Sequence, residues 1–117
     1  MTLQEAIAGE RAGSVSRPQL IAALLAAELL VPSKVPAGNE PSLMRPLLLD
    51  KAGRSFVAAF LSASGAEAYR YLAEFRLTIT GLQLMQQVPA GIGVVIDPGM
   101  ETATEISADE LVAARTK

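Results

Sequence analysis

A chain of 117 residues has the size of one domain. Half of it is apolar and only 4% aromatic, so its core must be aliphatic, with Phe56, Phe60, Tyr69, Tyr71 and Phe75 as the few large side chains. It contains neither Cys nor His, which excludes disulfides, thiolate nucleophiles, imidazole bases and nearly all zinc chemistry. Its 10 basic and 12 acidic residues leave a net charge of −2 without runs of like charge, so no footprint for nucleic acid or an anionic membrane is present.

In chain order, helix starts are marked by Ser or Thr followed three residues later by Glu or Gln. In this spacing the hydroxyl accepts from the N3 amide and the longer side chain reaches back to the N-cap amide. Thr2/Glu5 opens a helix over Leu3–Glu10, ended by Gly13. Ser16/Gln19 opens one over Arg17–Ala27, in which Leu20, Leu24 and Ala27 share a face with Ile21 and Leu25 beside it. Leu29–Val31 reads as a short strand ending at Pro32, and the proline-rich stretch Val31–Pro41 as a loop. Met44–Leu49 and Ser55–Phe60 read as hairpin strands around Asp50-Lys51-Ala52-Gly53, with Gly53 free to take positive φ.

Ser64/Glu67 predicts a helix over Gly65–Leu72. Phe75, Leu77 and Ile79 alternate with polar residues, as in a half-buried strand. Thr80/Gln83 predicts a helix over Gly81–Gln87, stopped by Pro89. Gly93–Ile96, apolar at every position and bounded by the turn Asp97-Pro98-Gly99, reads as the central strand. Thr102–Ile106 is a last strand, and Ser107/Glu110 opens a helix over Ala108–Arg115. The expected fold is α+β: a mixed sheet of about five or six short strands, with helices packed mainly on one face. Residues 1–117 form a single domain.

Taken in order, "AAELLVPS", "EPSLMRPLLLDKAGRSFVAAFLSA", "ITGLQLMQQVPAGIGVVIDPG" and "ISADELVAA" resemble the N-terminal domain of the SseB family, the enhanced-serine-sensitivity proteins of bacteria. The resemblance covers roughly Leu20–Ala114 and leaves the helix at 3–10 outside. It implies the same fold and no established enzymatic activity. The family pattern often has Asn where this chain has Asp97, and relatives of the founding type carry a further C-terminal domain.

Several residues invite a chemical reading. Gly91-Ile92-Gly93 suggests a phosphate loop, but the third glycine of a dinucleotide fingerprint is replaced by Ile96 and the segment enters a strand. Asp97, Glu101 and Glu105 carry oxygens for a divalent cation, but Pro98-Gly99 breaks any helix that would align them. Asp109 and Glu110 suit the first turn of a helix by charge. Ser14, Ser16, Ser62 and Ser64 would depend on Lys34, Lys51 or Lys117 for activation, and no Ser-x-x-Lys spacing exists. No catalytic, cofactor or metal site is therefore expected.

The leading expectation is a non-enzymatic, self-associating module that docks a protein, with Leu3, Ile7, Leu82 and Met85 as candidate interface residues and Gly53, Asp97, Pro98 and Gly99 as structural turn residues. The family's name motivates an alternative, a sensor of amino-acid-like ligands with Tyr69, Arg76 and Gln83 around one pocket. The longest apolar run, Leu20–Ala27, is far short of the roughly 20 residues of a membrane span. Glu5, Glu10 and Arg11 stand where a signal peptide would be apolar, so a cytoplasmic location is expected.

Overall fold

The structure, a computed structural model, describes residues 1–38, 40–101 and 103–115. The elements run α1 (Leu3–Ala12), α2 (Arg17–Ala26), β1 (Glu28–Ser33), a 3-10 turn (Pro41–Leu43), β2 (Leu48–Lys51), β3 (Arg54–Ala59), α3 (Ala63–Glu67), β4 (Phe75–Thr80), α4 (Gly81–Gln87), β5 (Gly93–Ile96), β6 (Thr104–Ile106) and α5 (Ala108–Arg115). The α+β expectation holds, with the strands divided between two sheets. One is the antiparallel ribbon β1-β4; the other is four-stranded, in the order β2-β3-β5-β6, with β3 and β5 parallel. The sheets touch through the bridges Leu30–Phe60 and Ser33–Pro46.

Both faces of the central strands are covered, which explains why β5 is apolar throughout. Val57, Ala59, Val94 and Ile96 join the larger core with Leu3, Ile7, Leu20, Leu24, Leu84, Met85 and Leu111, so α1, α2, α4 and α5 share this face. Phe56, Ala58, Phe60 and Val95 point the other way and pack with Ala66 and Ala73 around α3. The Phe60 and Tyr69 rings lie 5.4 Å apart in a tilted pair.

The capping boxes at Thr2, Ser16, Thr80 and Ser107 form as the spacing predicts. That at Ser64 does not. Ser62 caps α3 instead, accepting from the Gly65 amide at 3.4 Å, and the helix ends at Glu67. Ser64 lies inside the first turn, where its hydroxyl meets that of Ser62 at 3.2 Å.

Two strand boundaries also shift. β1 continues through Pro32 to Ser33, because Leu30 exchanges its backbone bonds with Phe60 and the Pro32 carbonyl accepts from Leu47. This side of β1 faces away from β4, so the missing N–H of Pro32 costs the β1-β4 ladder nothing. β2 begins only at Leu48. The segment before it binds two neighbours instead, with the Leu47 amide donating to Pro32 and its carbonyl accepting from Ala58. The last strand starts at Thr104, and Thr102 lies outside the described residues.

Two constraints lock the helix layer. Gly81 opens α4 against the end of α2, its amide donating to the Ala27 carbonyl at 2.9 Å. A Cβ at this position would stand 1.8 Å from the Leu24 carbonyl oxygen. Arg17, at the start of α2, reaches Glu110 of α5 at 2.7 Å, Glu10 of α1 at 3.0 Å and the Glu105 carbonyl of β6. The guanidinium contact, with the Ser107 amide helping, holds the Glu110 carboxyl down at about 2.

Gly81→Ala should cost at least about 3 kcal/mol, because the clash is with backbone that no rotamer change relieves; the midpoint of urea unfolding measures it. The folded value of Glu110 lies below its unfolded one, near 4.5, so its contribution is complete above pH 4.5 and vanishes as pH falls toward 2. Both partners are about one-third exposed, which limits that contribution to about 1–2 kcal/mol. Glu110→Gln should therefore lower the melting temperature at pH 7 and narrow its gap to wild type between pH 4.5 and 2.

Candidate functional site

The strands close to a shorter turn than Asp50-Lys51-Ala52-Gly53, and left-handed backbone is used there and at Asp97 and Gly99. Ala52 and Gly53 form a two-residue hairpin loop with φ of 53° and 78°, and Gly99 takes 80°. Asp97 is buried at φ 51°, a conformation that Asp and Asn tolerate best among side-chain-bearing residues. Its role reaches beyond the local turn. Its carboxylate accepts from the Leu61 amide at 3.0 Å and its own amide donates to Ala59 at 2.8 Å, so it ties the end of β5 to the end of β3. The Tyr69 hydroxyl donates to the Pro98 carbonyl at 3.3 Å and closes the same corner.

The proposed interface does not assemble. Leu3, Ile7 and Met85 are buried in the larger core, because the faces that look unpartnered in sequence are those the sheet covers. Leu82 alone is exposed, at 47%. Nor do Tyr69, Arg76 and Gln83 share a cavity. Tyr69 serves the Pro98 corner, Arg76 lies beside Glu67 and the Ala63 carbonyl, and Gln83 caps α4.

Most of the other singled-out groups serve the fold. Gly93 lets β5 approach the Ile106 carbonyl, which a Cβ would meet at 2.5 Å. Glu105 pairs with Lys51 at 2.6 Å, and among the described residues no three His, Cys, Asp or Glu side chains form a metal-sized group. Ser16 and Ser62 cap helices, and Ser14 donates to the Gly9 carbonyl. Lys117 lies outside the described residues.

The feature that sequence reasoning missed is at the neck of the 34–45 loop. The fully buried Ser33 hydroxyl donates to the Val35 carbonyl at 2.6 Å and accepts from the Val35 and Arg45 amides. The Lys34 amide donates to the Arg45 carbonyl at 2.8 Å. These bonds set Lys34 and Arg45 side by side. Both border a mainly apolar trough of about 430 Å³, whose walls include Pro41, Met44, Leu48, Pro89 and Ile92. On the other side of Lys34 lies a shallow hollow of about 570 Å³ lined by Arg70, Tyr71, Leu72 and Glu74, with Tyr71 80% exposed. The only signal in the sequence is the proline-rich composition of the loop.

The model of the SseB protein N-terminal domain matches residues 3–113, and the chain belongs to that family. The match takes in α1, which the sequence resemblance left outside. No curated protein and no solved structure matches the chain. Among the described residues, no helix is long and apolar enough to cross a membrane.

Asp97→Ala should cost about 2–3 kcal/mol, since it strands the partly buried Leu61 amide and puts Ala in the left-handed region. Asp97→Asn, which keeps both the acceptor and the tolerance for positive φ, should cost under about 1 kcal/mol. Thermal unfolding of the two variants side by side measures the difference.

Proposed function

We propose that this domain is a non-enzymatic interaction module, working in the cytoplasm, that docks a segment of a partner protein along the face around Lys34. The observation that carries the reading is the trough itself. Its apolar wall continues from the core through Met44 and Ile92 to Leu48, which is 45% exposed on an edge strand. Surface of this kind beside a sheet edge suits an extended protein segment, whose side chains enter the depression while its backbone runs along the strand. The reactive side chains give no competing reading, because the described carboxylates and hydroxyls singled out in the sequence mostly cap helices, close turns or pair with cations. Partnership with a second copy rests only on Leu82, now that Leu3, Ile7 and Met85 are core.

A photo-crosslinking residue at position 48, with one at the exposed position 78 of β4 as control, tests the reading in living cells of the native host. Irradiation should give a discrete protein adduct at 48 and none at 78. An adduct at twice the subunit mass would make the partner another copy. The reading fails if 48 gives no adduct across growth conditions, or if native mass spectrometry of the purified chain finds a reproducible small molecule bound in place of protein.

A further inference from the structure

We infer, building on the docking reading, that the segment taken up carries an acidic residue flanked by apolar ones, with its carboxylate on Lys34 and Arg45. The charge inventory motivates this. Arg17 is paired with Glu10 and Glu110, Lys51 with Glu105, and Arg70 and Arg76 with Glu67. Arg11 is bound to the carbonyls of Glu101 and Ala103. Neither Lys34 nor Arg45 has a carboxylate partner among the described residues, although the chain as a whole is acidic. Arg54, likewise unpaired, lies apart at the β2-β3 hairpin.

The two cations are adjacent because the backbone puts them there. The Ser33 hydroxyl and the Lys34–Arg45 backbone bond close the neck of the loop, so the backbones from which the two side chains leave are fixed next to each other. Holding like charges side by side is unfavourable, and an incoming carboxylate relieves it. Arg45 offers a planar fork for that carboxylate and Lys34 a point charge.

The apolar trough with Met44, Leu48 and Ile92 lies on one side of this positive spot. On the other is a mixed hollow in which Tyr71 and Leu72 stand beside Arg70 and Glu74, with Lys34 bordering both. A small carboxylic acid would fill one depression. A chain segment spans both, with its acid at the boundary.

The test is selection of a displayed random dodecapeptide library on the immobilised full-length protein, in parallel with the variant K34E/R45E. Both positions are exposed, so the charge reversal leaves the fold intact, which circular dichroism verifies. Wild type should enrich peptides with Asp or Glu between apolar residues, and the variant should lose that preference. The strongest wild-type peptide, fluorescein-labelled, should bind the variant at least about tenfold more weakly in anisotropy titrations and bind wild type more weakly as salt rises. Enriched peptides without acidic preference, bound equally by the variant but lost in Leu48→Ser, would overturn the acidic occupant and leave the docking reading standing. Enrichment of nothing would overturn both. Stronger binding to phosphatidylserine vesicles than to any peptide would replace the protein segment by a lipid surface.

Discussion

The guanidinium of Arg17 ties together parts of the chain that are far apart in sequence. α1 and α2 come from the first 26 residues, while β6 and α5 come from the last 14, and Arg17 bonds to all but its own helix at once. The aliphatic core packs these helices together, and polar bonds add direction to that packing. Bonds from one planar group to two carboxylates and a carbonyl supply that direction. Gly81 does the complementary work sterically, admitting α4 so close to α2 that only a hydrogen atom fits between them. The helix layer is thus positioned by one attraction and one exclusion.

A second consequence concerns how polar groups are used. The buried Asp97 and Ser33 are both satisfied by backbone atoms, and each sits where a strand ends and the chain must change direction. Buried polar side chains of this kind define geometry, since each has a single arrangement that meets its hydrogen bonds. The Asp97 corner holds the ends of β3 and β5 together, while Ser33 holds the base of the loop beside the trough. Asn would serve in this role as Asp97 does. Both side chains offer an oxygen to the Leu61 amide, and both accept the left-handed backbone.

Local features were the legible ones. Capping boxes, the Ala52-Gly53 turn and the all-apolar β5 are decided by residues within a few positions of one another, so spacing reveals them. Where two hydroxyls compete, as Ser62 and Ser64 do, spacing points to Ser64, while the helix starts earlier, at Ala63, and Ser62 caps it. Pro32 shows a different limit. Its nitrogen lies on the side away from β4, so the β1-β4 ladder runs past it, and which side that is follows from the pairing of β1 with Phe60 and Leu47. The same holds for the interface residues. Periodicity identifies Leu3, Ile7 and Met85 as an apolar face, but whether water or the sheet meets that face is a property of the whole fold. The site around Lys34 was illegible for the same reason, because a missing partner for a cation is visible only once every carboxylate has been located.

The closure at Ser33 has a bearing on how such a domain diversifies. The bonds at the neck are made to backbone atoms of Val35 and Arg45 and between the backbones of Lys34 and Arg45, so they make no demand on the side chains within the loop. Within the loop Ala37 and Met44 are anchored on the larger core, whereas the exposed positions Glu40, Ser42 and Leu43 can change without disturbing the sheets. The loop is thus part anchor and part variable surface, and its exposed positions can change in sequence while the frame beneath stays constant.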